Sequence, residues 1–385
     1  MAGYGGHDAL INEMTVNGQF FRGDYSKLTS PAHTAGGWHL LVGNNGFPNA
    51  GTFPGTDLVW SNCSAEAGDG TTVIGMPTNG NVEPATKHLL TVGAHIVAAA
   101  GAPWQAKLVD LQGYYRLSTT NVTGTGSRVL INSNTFTASS SSGLLLTYAN
   151  DWKTFTKVRL TTTGTLPGGT ALATDYWLVR QSATTAKLAA SYADAVNGVT
   201  LAFVDAGTGT HTLTIKMPRY GNGVGCDAFF VVQTAPTLGG PNLTASSYTN
   251  SAGVAGRAFQ GSPSMGAAAD AYATRVLHSG NAAGRYGAFL PRQGGDTGIE
   301  SIQSFTWSTG TAYTGAGVVA LCIARPLGVD IAIPVSGMLS KEDLVNQIPS
   351  LPRVVDGACL AWMLFSTGAT TANSPMTSII QAGWA

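Results

Sequence analysis

Short runs of alternating hydrophobic and polar residues fill this chain, and turn-forming dipeptides separate them. Lys157-Val158-Arg159-Leu160-Thr161 and His211-Thr212-Leu213-Thr214-Ile215 keep the two-residue period of a half-buried strand. Val158 and Leu160 fall on one face, Lys157 and Arg159 on the other. Further strand-like runs lie at 38–42, 71–76, 107–111, 176–179, 228–233, 302–307 and 318–324. Asn17-Gly18, Asn45-Gly46, Asp69-Gly70, Asn79-Gly80, Asn197-Gly198 and Asp356-Gly357 are hairpin-type dipeptides, because these residues tolerate positive φ. The sharpest predicted hairpin joins 353–355 to 358–365 through Asp356-Gly357. Helical signals are few. Glu83-Pro84, an apolar run over 85–100 and Gly101 predict one helix, with proline at its first turn and glycine at its stop. Its apolar residues Leu89, Leu90, Val92, Ile96 and Val97 surround the axis, so it would be packed on most sides; Gly93 works against it. A second helix is predicted over 267–278, ended by Gly280. Ser340-Lys341-Glu342-Asp343-Leu344 predicts a short third one, with Ser340 as N-cap and acids in its first turn.

Many short strands with glycine-rich turns define an all-β chain, a sandwich or jelly-roll-like scaffold with two or three short helices. Between 118 and 217 the composition shifts to Thr, Ser, Gly and Ala, including a serine run at 139–142. Strands run in before this stretch (108–117) and out after it (218–233). The organisation expected is a discontinuous scaffold, 1–117 and 218–385, with an inserted β domain at 118–217; loop tips tolerate such insertions.

The insert also carries a resemblance. Thr161-Thr162-Thr163-Gly164-Thr165-Leu166-Pro167-Gly168-Gly169 leads to Asp175-Tyr176-Trp177-Leu178-Val179. Lys187-Leu188-Ala189, a short helix at 191–196 and Asp205-Ala206-Gly207-Thr208-Gly209-Thr210-His211-Thr212-Leu213 follow. Over about 150–215 this order resembles a portable β module of tailed-bacteriophage structural proteins, spliced into capsid, tail and fibre chains. Leu108-Val109-Asp110-Leu111-Gln112-Gly113-Tyr114-Tyr115, Pro218-Arg219-Tyr220 and the segment 344–360 with its Pro349-Ser350-Leu351-Pro352 resemble structural proteins of the same phages. The resemblance implies a virion and transfers no functional residue.

Charge changes the picture. The 385 residues hold 20 Lys+Arg and 20 Asp+Glu, so 10% are charged, against about 25% in an ordinary domain. A net charge of zero argues against nucleic-acid and anionic-membrane binding, which need clustered Lys and Arg. A hydrophobic content of 44% excludes a disordered chain. No apolar window is long enough for a spanning helix, the best candidate, 89–100, being short and interrupted by His95; the start lacks the basic and apolar regions of a secretion signal. Four cysteines (Cys63, Cys226, Cys322, Cys359) are too sparse for a disulfide framework and fit a reducing cytosol; Cys322 and Cys359 read as small buried hydrophobes. Three tracts, 28–56, 228–256 and 357–385, contain no charged residue at all. Charge depletion marks the core of permanent interfaces. A homo-oligomer is therefore expected, with 357–385 buried in a sheet or against a neighbouring subunit.

Candidate chemistry is thin. His33/His39 and His88/His95 are the only close histidine pairs, neither at metal-ligand spacing; the second pair would share a face of the first helix. Gly221-Asn222-Gly223-Val224-Gly225 precedes a strand, whereas phosphate loops precede a helix, so it reads as a turn. No Gly-x-Ser-x-Gly elbow occurs. Glu342-Asp343 is accounted for by a helix start. Arg22-Gly23-Asp24 matches an attachment tripeptide and reads as a polar turn. The eight tryptophans are spread along the chain, as core residues would be. No catalytic, cofactor-binding or metal residue is assigned. The sequence thus leads to a structural, non-enzymatic virion protein, assembled in the host bacterial cytoplasm. Within that class it is read as a capsid decoration or cement protein contacting the major capsid protein or other virion proteins, with neither nucleic acid nor membrane as partner. A tail, baseplate or receptor-binding protein is the alternative, and a polysaccharide-active enzyme the second.

Overall fold

The structure, a computed structural model, describes residues 6–29, 36–41, 58–59, 76, 82, 85–97, 103–119, 125–130, 132–139, 146–147, 152–234, 242–264, 275–277, 287–308, 317–347, 351–368 and 374–385. In chain order, α1 (His7–Thr15) leads to β1 (Phe20–Thr29), β2 (Gly37–Leu41), β3 (Leu58–Val59), β4 (Lys87–Ile96) and β5 (Trp104–Thr119). Then come β6 (Thr125–Val129), β7 (Ser133–Phe136), β8 (Leu146–Thr147), β9 (Lys157–Thr162), β10 (Asp175–Arg180), β11 (Thr185–Ala189), α2 (Tyr192–Val196) and β12 (His211–Ile215). The chain closes with β13 (Asp227–Thr234), β14 (Asn242–Asn250), β15 (Arg275–Val276), β16 (Ile299–Ser308), β17 (Gly317–Ile333), β18 (Leu339–Asp343), α3 (Leu344–Gln347), β19 (Leu360–Ser366) and β20 (Ser374–Trp384). The protein is all-β, as its alternation predicts.

A seven-stranded sheet, β17-β13-β15-β2-β19-β5-β3, is the spine. Its longest ribbon pairs β5 with β17 from Gly317↔Thr119 to Ile333↔Trp104. Ile323 pairs with Gly113 and Ala324 with Leu111, so Gln112 is an extra residue in β5. Such a bulge shifts the alternation by one. Before it Trp104, Ala106 and Leu108 enter one core; after it Tyr115 and Leu117 enter a second; Val109, Leu111 and Tyr114 point to the opposite face. In β17 Val319, Leu321 and Ile323 likewise feed the second core and Leu327, Val329, Ile331 and Ile333 the first, while Ala320, Cys322 and Ala324 join the third. A strand buried on both faces reads as a continuous apolar run, which is what 318–324 is. The first core lies against a four-stranded sheet, β1-β20-β4-β18, the second against a three-stranded one, β14-β16-β6.

The six-stranded sheet β7-β12-β9-β10-β11-β8 is built wholly from residues 133–215 and has its own core around Val158, Leu160, Leu178, Leu188 and Leu213. The charged face of β9 is tied down by Asp175, which pairs with Lys157 at 2.9 Å and Arg159 at 2.6 Å. These pairs outweigh burial and hold the Asp175 carboxyl below its usual range. Ser191 caps α2, accepting from the Asp194 amide at 3.0 Å and donating to its carboxylate at 2.7 Å. Strand β6 pairs with β16 instead, and Lys216 forms an ion pair with Glu300.

Several expectations change. The predicted helix over 83–100 is strand β4 across its described core, paired with β20 and β18. Its all-round hydrophobicity reflects burial on both faces of a sheet, which periodicity alone cannot separate from a buried helix. Ser340 lies in β18; α3 starts later, with the Asp343 carboxylate accepting from the Val345 amide at 3.0 Å. Asp356-Gly357 does turn, with Gly357 at φ 74°. Its arms do not pair with each other: Arg353 bridges to His88, and β19 joins β2 and β5. Asn197-Gly198 ends α2. Asn45-Gly46, Asp69-Gly70, Asn79-Gly80, most of the run 71–76 and nearly all of the 267–278 helix lie outside the described residues, although Arg275 and Val276 form β15.

Candidate functional site

Asp110 is the one acid in the apolar stretch 108–111 of β5, and it is wholly buried. A carboxylate there needs donors for every lone pair. It has four. Arg219 donates from Nε to Oδ2 at 2.9 Å and from Nη2 to Oδ1 at 2.8 Å. The Tyr220 hydroxyl donates to Oδ2 at 2.8 Å and the Cys359 amide to Oδ1 at 2.8 Å. Arg219, itself 2% exposed, also donates to the Leu111 carbonyl at 2.6 Å. Burial would lower the guanidinium's pKa, but the charge and hydrogen bonds of Asp110 raise it. Burial, and then the same carboxylate, push the Tyr220 hydroxyl well up and the Cys226 thiol to about 12. Segments 108–115, 218–220 and 344–360, far apart in the chain, thus meet at one carboxylate.

The backbone beside it is unusual. Tyr220, Gly221, Asn222 and Gly223 have φ of 58°, 21°, 52° and 74°, a left-handed turn. For a residue with a Cβ that region costs about 1–2 kcal/mol. Tyr220 is held there by its bond to Asp110 and by the Arg325 guanidinium, 4.5 Å from its ring centroid. Gly223 is required: a Cβ would collide with the Ile299 carbonyl. Arg325 donates to the Val224 carbonyl at 2.6 Å. A cleft of about 490 Å³ opens here, walled on one side by Tyr220, Arg325 and Leu327 and on the other by Pro352, Arg353 and Val355. The second wall is fixed to β4 by Val354 N–H to Lys87 O at 3.0 Å and by the Lys87–Asp356 ion pair at 3.0 Å.

A second polar cluster locks the loop after β14. Asp296, 2% exposed, accepts from the Tyr248 hydroxyl at 2.5 Å and Asn250 at 2.7 Å, and pairs with Arg257 at 3.0 Å. The Arg257 hydrogen bond, with those of Tyr248 and Asn250, outweighs burial and holds the carboxyl at about 2. An unfolded aspartate titrates near 3.9. The group therefore contributes stability above about pH 4 that is lost as pH falls toward 2. The melting temperature of the wild type should fall across that window more steeply than that of Asp296→Asn, which starts lower at neutral pH. Calorimetry over a pH series checks this; parallel acid limbs would refute it.

The sequence candidates do not assemble into a centre. His88 and His95 lie on a strand, about 23 Å apart at 3.3 Å per residue. His95 Nε2 sits 3.1 Å from the Gly337 carbonyl. His39 is buried in β2, and His33 lies outside the described residues. Arg22-Gly23-Asp24 is extended on edge strand β1, with Arg22 and Asp24 paired at 3.1 Å, so it is no turn. Trp38, Trp104, Trp152, Trp307 and Trp362 are core residues. Cys226, Cys322 and Cys359 are buried thiols. Among the described residues no cluster of three or more His, Cys, Asp or Glu could hold a metal, and no helix is long and apolar enough to cross a membrane.

The chain defines an all-β protein with a buried, carboxylate-centred clip. No family model and no curated protein matches it. Among solved structures it is similar to that of infectious bursal disease virus, Gx strain, with a TM-score of 0.17 and 10% identity over 95% of this chain and 80% of that one. T=1 particles derived from infectious bursal virus align with a TM-score of 0.16 and 7% identity, over 97% and 82%. Likeness of this order carries no argument about fold or role.

Proposed function

We propose that the protein is a structural component of a tailed-phage virion, most specifically a capsid decoration protein that works by contact and not by catalysis. The observation that carries this reading is the six-stranded sheet of residues 133–215. Its elements β9, β10, β11, α2 and β12 carry in that order the motifs on which the resemblance to the phage module rests, and it has its own core. Such an appendage on a larger β scaffold suits a protein that clamps major capsid subunits and projects a module outward. Apolar surface for such contact, or for self-association, lies at one end of the four-stranded sheet. There Val97, Val335, Met338 and Leu339 are 42–51% exposed, and Gly337 N–H bonds the Ile96 carbonyl. Labelling purified virions with an antibody to residues 152–215 tests the reading. Label on the shell is the expected result. Label on the tail would replace the decoration role with a tail role, and unlabelled particles would refute the virion reading.

A further inference from the structure

We propose that the cleft beside the left-handed turn binds a small oxyanion-bearing ligand, a phosphate or carboxylate compound of about monosaccharide size, with Arg325 and Arg353 holding its anionic group. The inference stands apart from the virion reading. The cleft's volume of about 490 Å³ is that of a small-molecule site, typically about 300–1,000 Å³. Among the described residues, two that bear a guanidinium line it and no acid does. Asp110 lies behind the wall, but all its acceptor positions are filled by protein donors, so it does not neutralise the cleft.

Arg325 is oriented before any ligand arrives. Its guanidinium stacks on Tyr220 and spends one N–H on the Val224 carbonyl, out of five available. Arg353 is exposed, and its guanidinium has no partner among the described residues. Its backbone is pinned by Leu89 N–H to Pro352 O at 2.9 Å and Val354 N–H to Lys87 O at 3.0 Å. Asp110 couples the walls, taking the Tyr220 hydroxyl from one and the amide of Cys359, which follows the other, into a single carboxylate. A site held this way loses little freedom on binding. Arginine's planar fork matches phosphate and carboxylate oxygens. Pro326, Leu327 and Pro352 offer apolar surface to the rest of the ligand. The strained backbone at Tyr220 falls where such strain concentrates, at ligand clamps.

The test is calorimetric titration of the full chain at low ionic strength, with inorganic phosphate and D-glucuronate as separate probes. Saturable one-to-one binding of at least one probe is expected. Arg353→Ala, a surface change that should leave the thermal melt unchanged, weakens it by about tenfold or more. Arg325→Lys keeps the charge, loses the fork and weakens binding as well. Phosphate alone binding identifies a phosphate ligand, glucuronate alone an acidic sugar, and both the oxyanion itself. Absence of saturable binding by either probe, or binding that Arg353→Ala leaves unchanged, overturns the proposal.

Discussion

Replacing Asp110 with asparagine is expected to destabilise the protein by about 3–5 kcal/mol, the cost of breaking a buried ion pair from one side. Arg219 would stay in place, charged and 2% exposed, with its counter-charge gone. An amide accepts through one oxygen only. Whichever way it turns, its NH₂ must face donors that now meet a carboxylate oxygen: Arg219 and Tyr220 on one side, Arg219 and the Cys359 amide on the other. Tyr220 also loses a bond that holds its positive φ, so strain of about 1–2 kcal/mol loses its compensation. A stabilising role for the pair itself does not follow, because burying two charges costs about as much as their attraction returns. The double variant Asp110→Leu with Arg219→Met separates the two ideas. It should recover a large part of the loss, since the unpaired charge is gone. Denaturant melts of wild type, Asp110→Asn and the double variant read this directly. A single variant within about 1 kcal/mol of wild type would sink the account.

Local alternation foretold the elements whose partners lie close in sequence. Strands β9 and β12 follow from their two-residue period, and the buried Val158 and Leu160 against the outward Lys157 and Arg159 are its direct outcome. Pairings between distant segments left weaker traces. The turn at Asp356-Gly357 is real, yet its arms bond β4, β2 and β5, far away in the chain. Strand β4 looked helical because both its faces are covered, which erases the period that would have betrayed it. The Asp110 clip joins residues 109 and 249 positions apart, and no spacing rule reaches that far. One signal for it was present. A single carboxylate inside Leu108-Val109-Asp110-Leu111 has to meet a buried cation or several donors. What the sequence could not name is Arg219, one basic residue among 20.

Removing residues 372–385 should leave no folded, soluble protein. The uncharged tract 357–385, which as sequence suggests burial in a sheet or against a neighbouring subunit, is woven into the chain's own seven- and four-stranded sheets. Leu360, Ala361, Trp362, Met363 and Leu364 are buried in β19, and Met376, Ile380 and Ala382 in β20. The tract at 228–256 likewise supplies β13 and β14. Absence of charge in both is thus explained by intrachain burial before any partner is considered. Strand β20 pairs with β1 from Phe20↔Gly383 to Thr29↔Ser374 and with β4 along its other edge. Its loss would split the four-stranded sheet, open one wall of the first core and bare two long strand edges prone to aggregate. It would also orphan the Trp362 indole, which donates to the Ser378 hydroxyl at 2.7 Å. Burial of Met376 and Ile380 alone is worth about 2–5 kcal/mol each, against a total stability of about 5–15. The point variant Ile380→Ala tests the same claim gently. It should lower stability by about 2–5 kcal/mol while leaving the oligomeric state, read by light scattering, unchanged. A truncated chain that melts cooperatively near the wild-type temperature would show that β20 is not integral to the sheet. Dissociation of an assembly by Ile380→Ala without loss of stability would return the tract to an intersubunit role. The burial of Ile380 within its own chain argues for the first pair of outcomes.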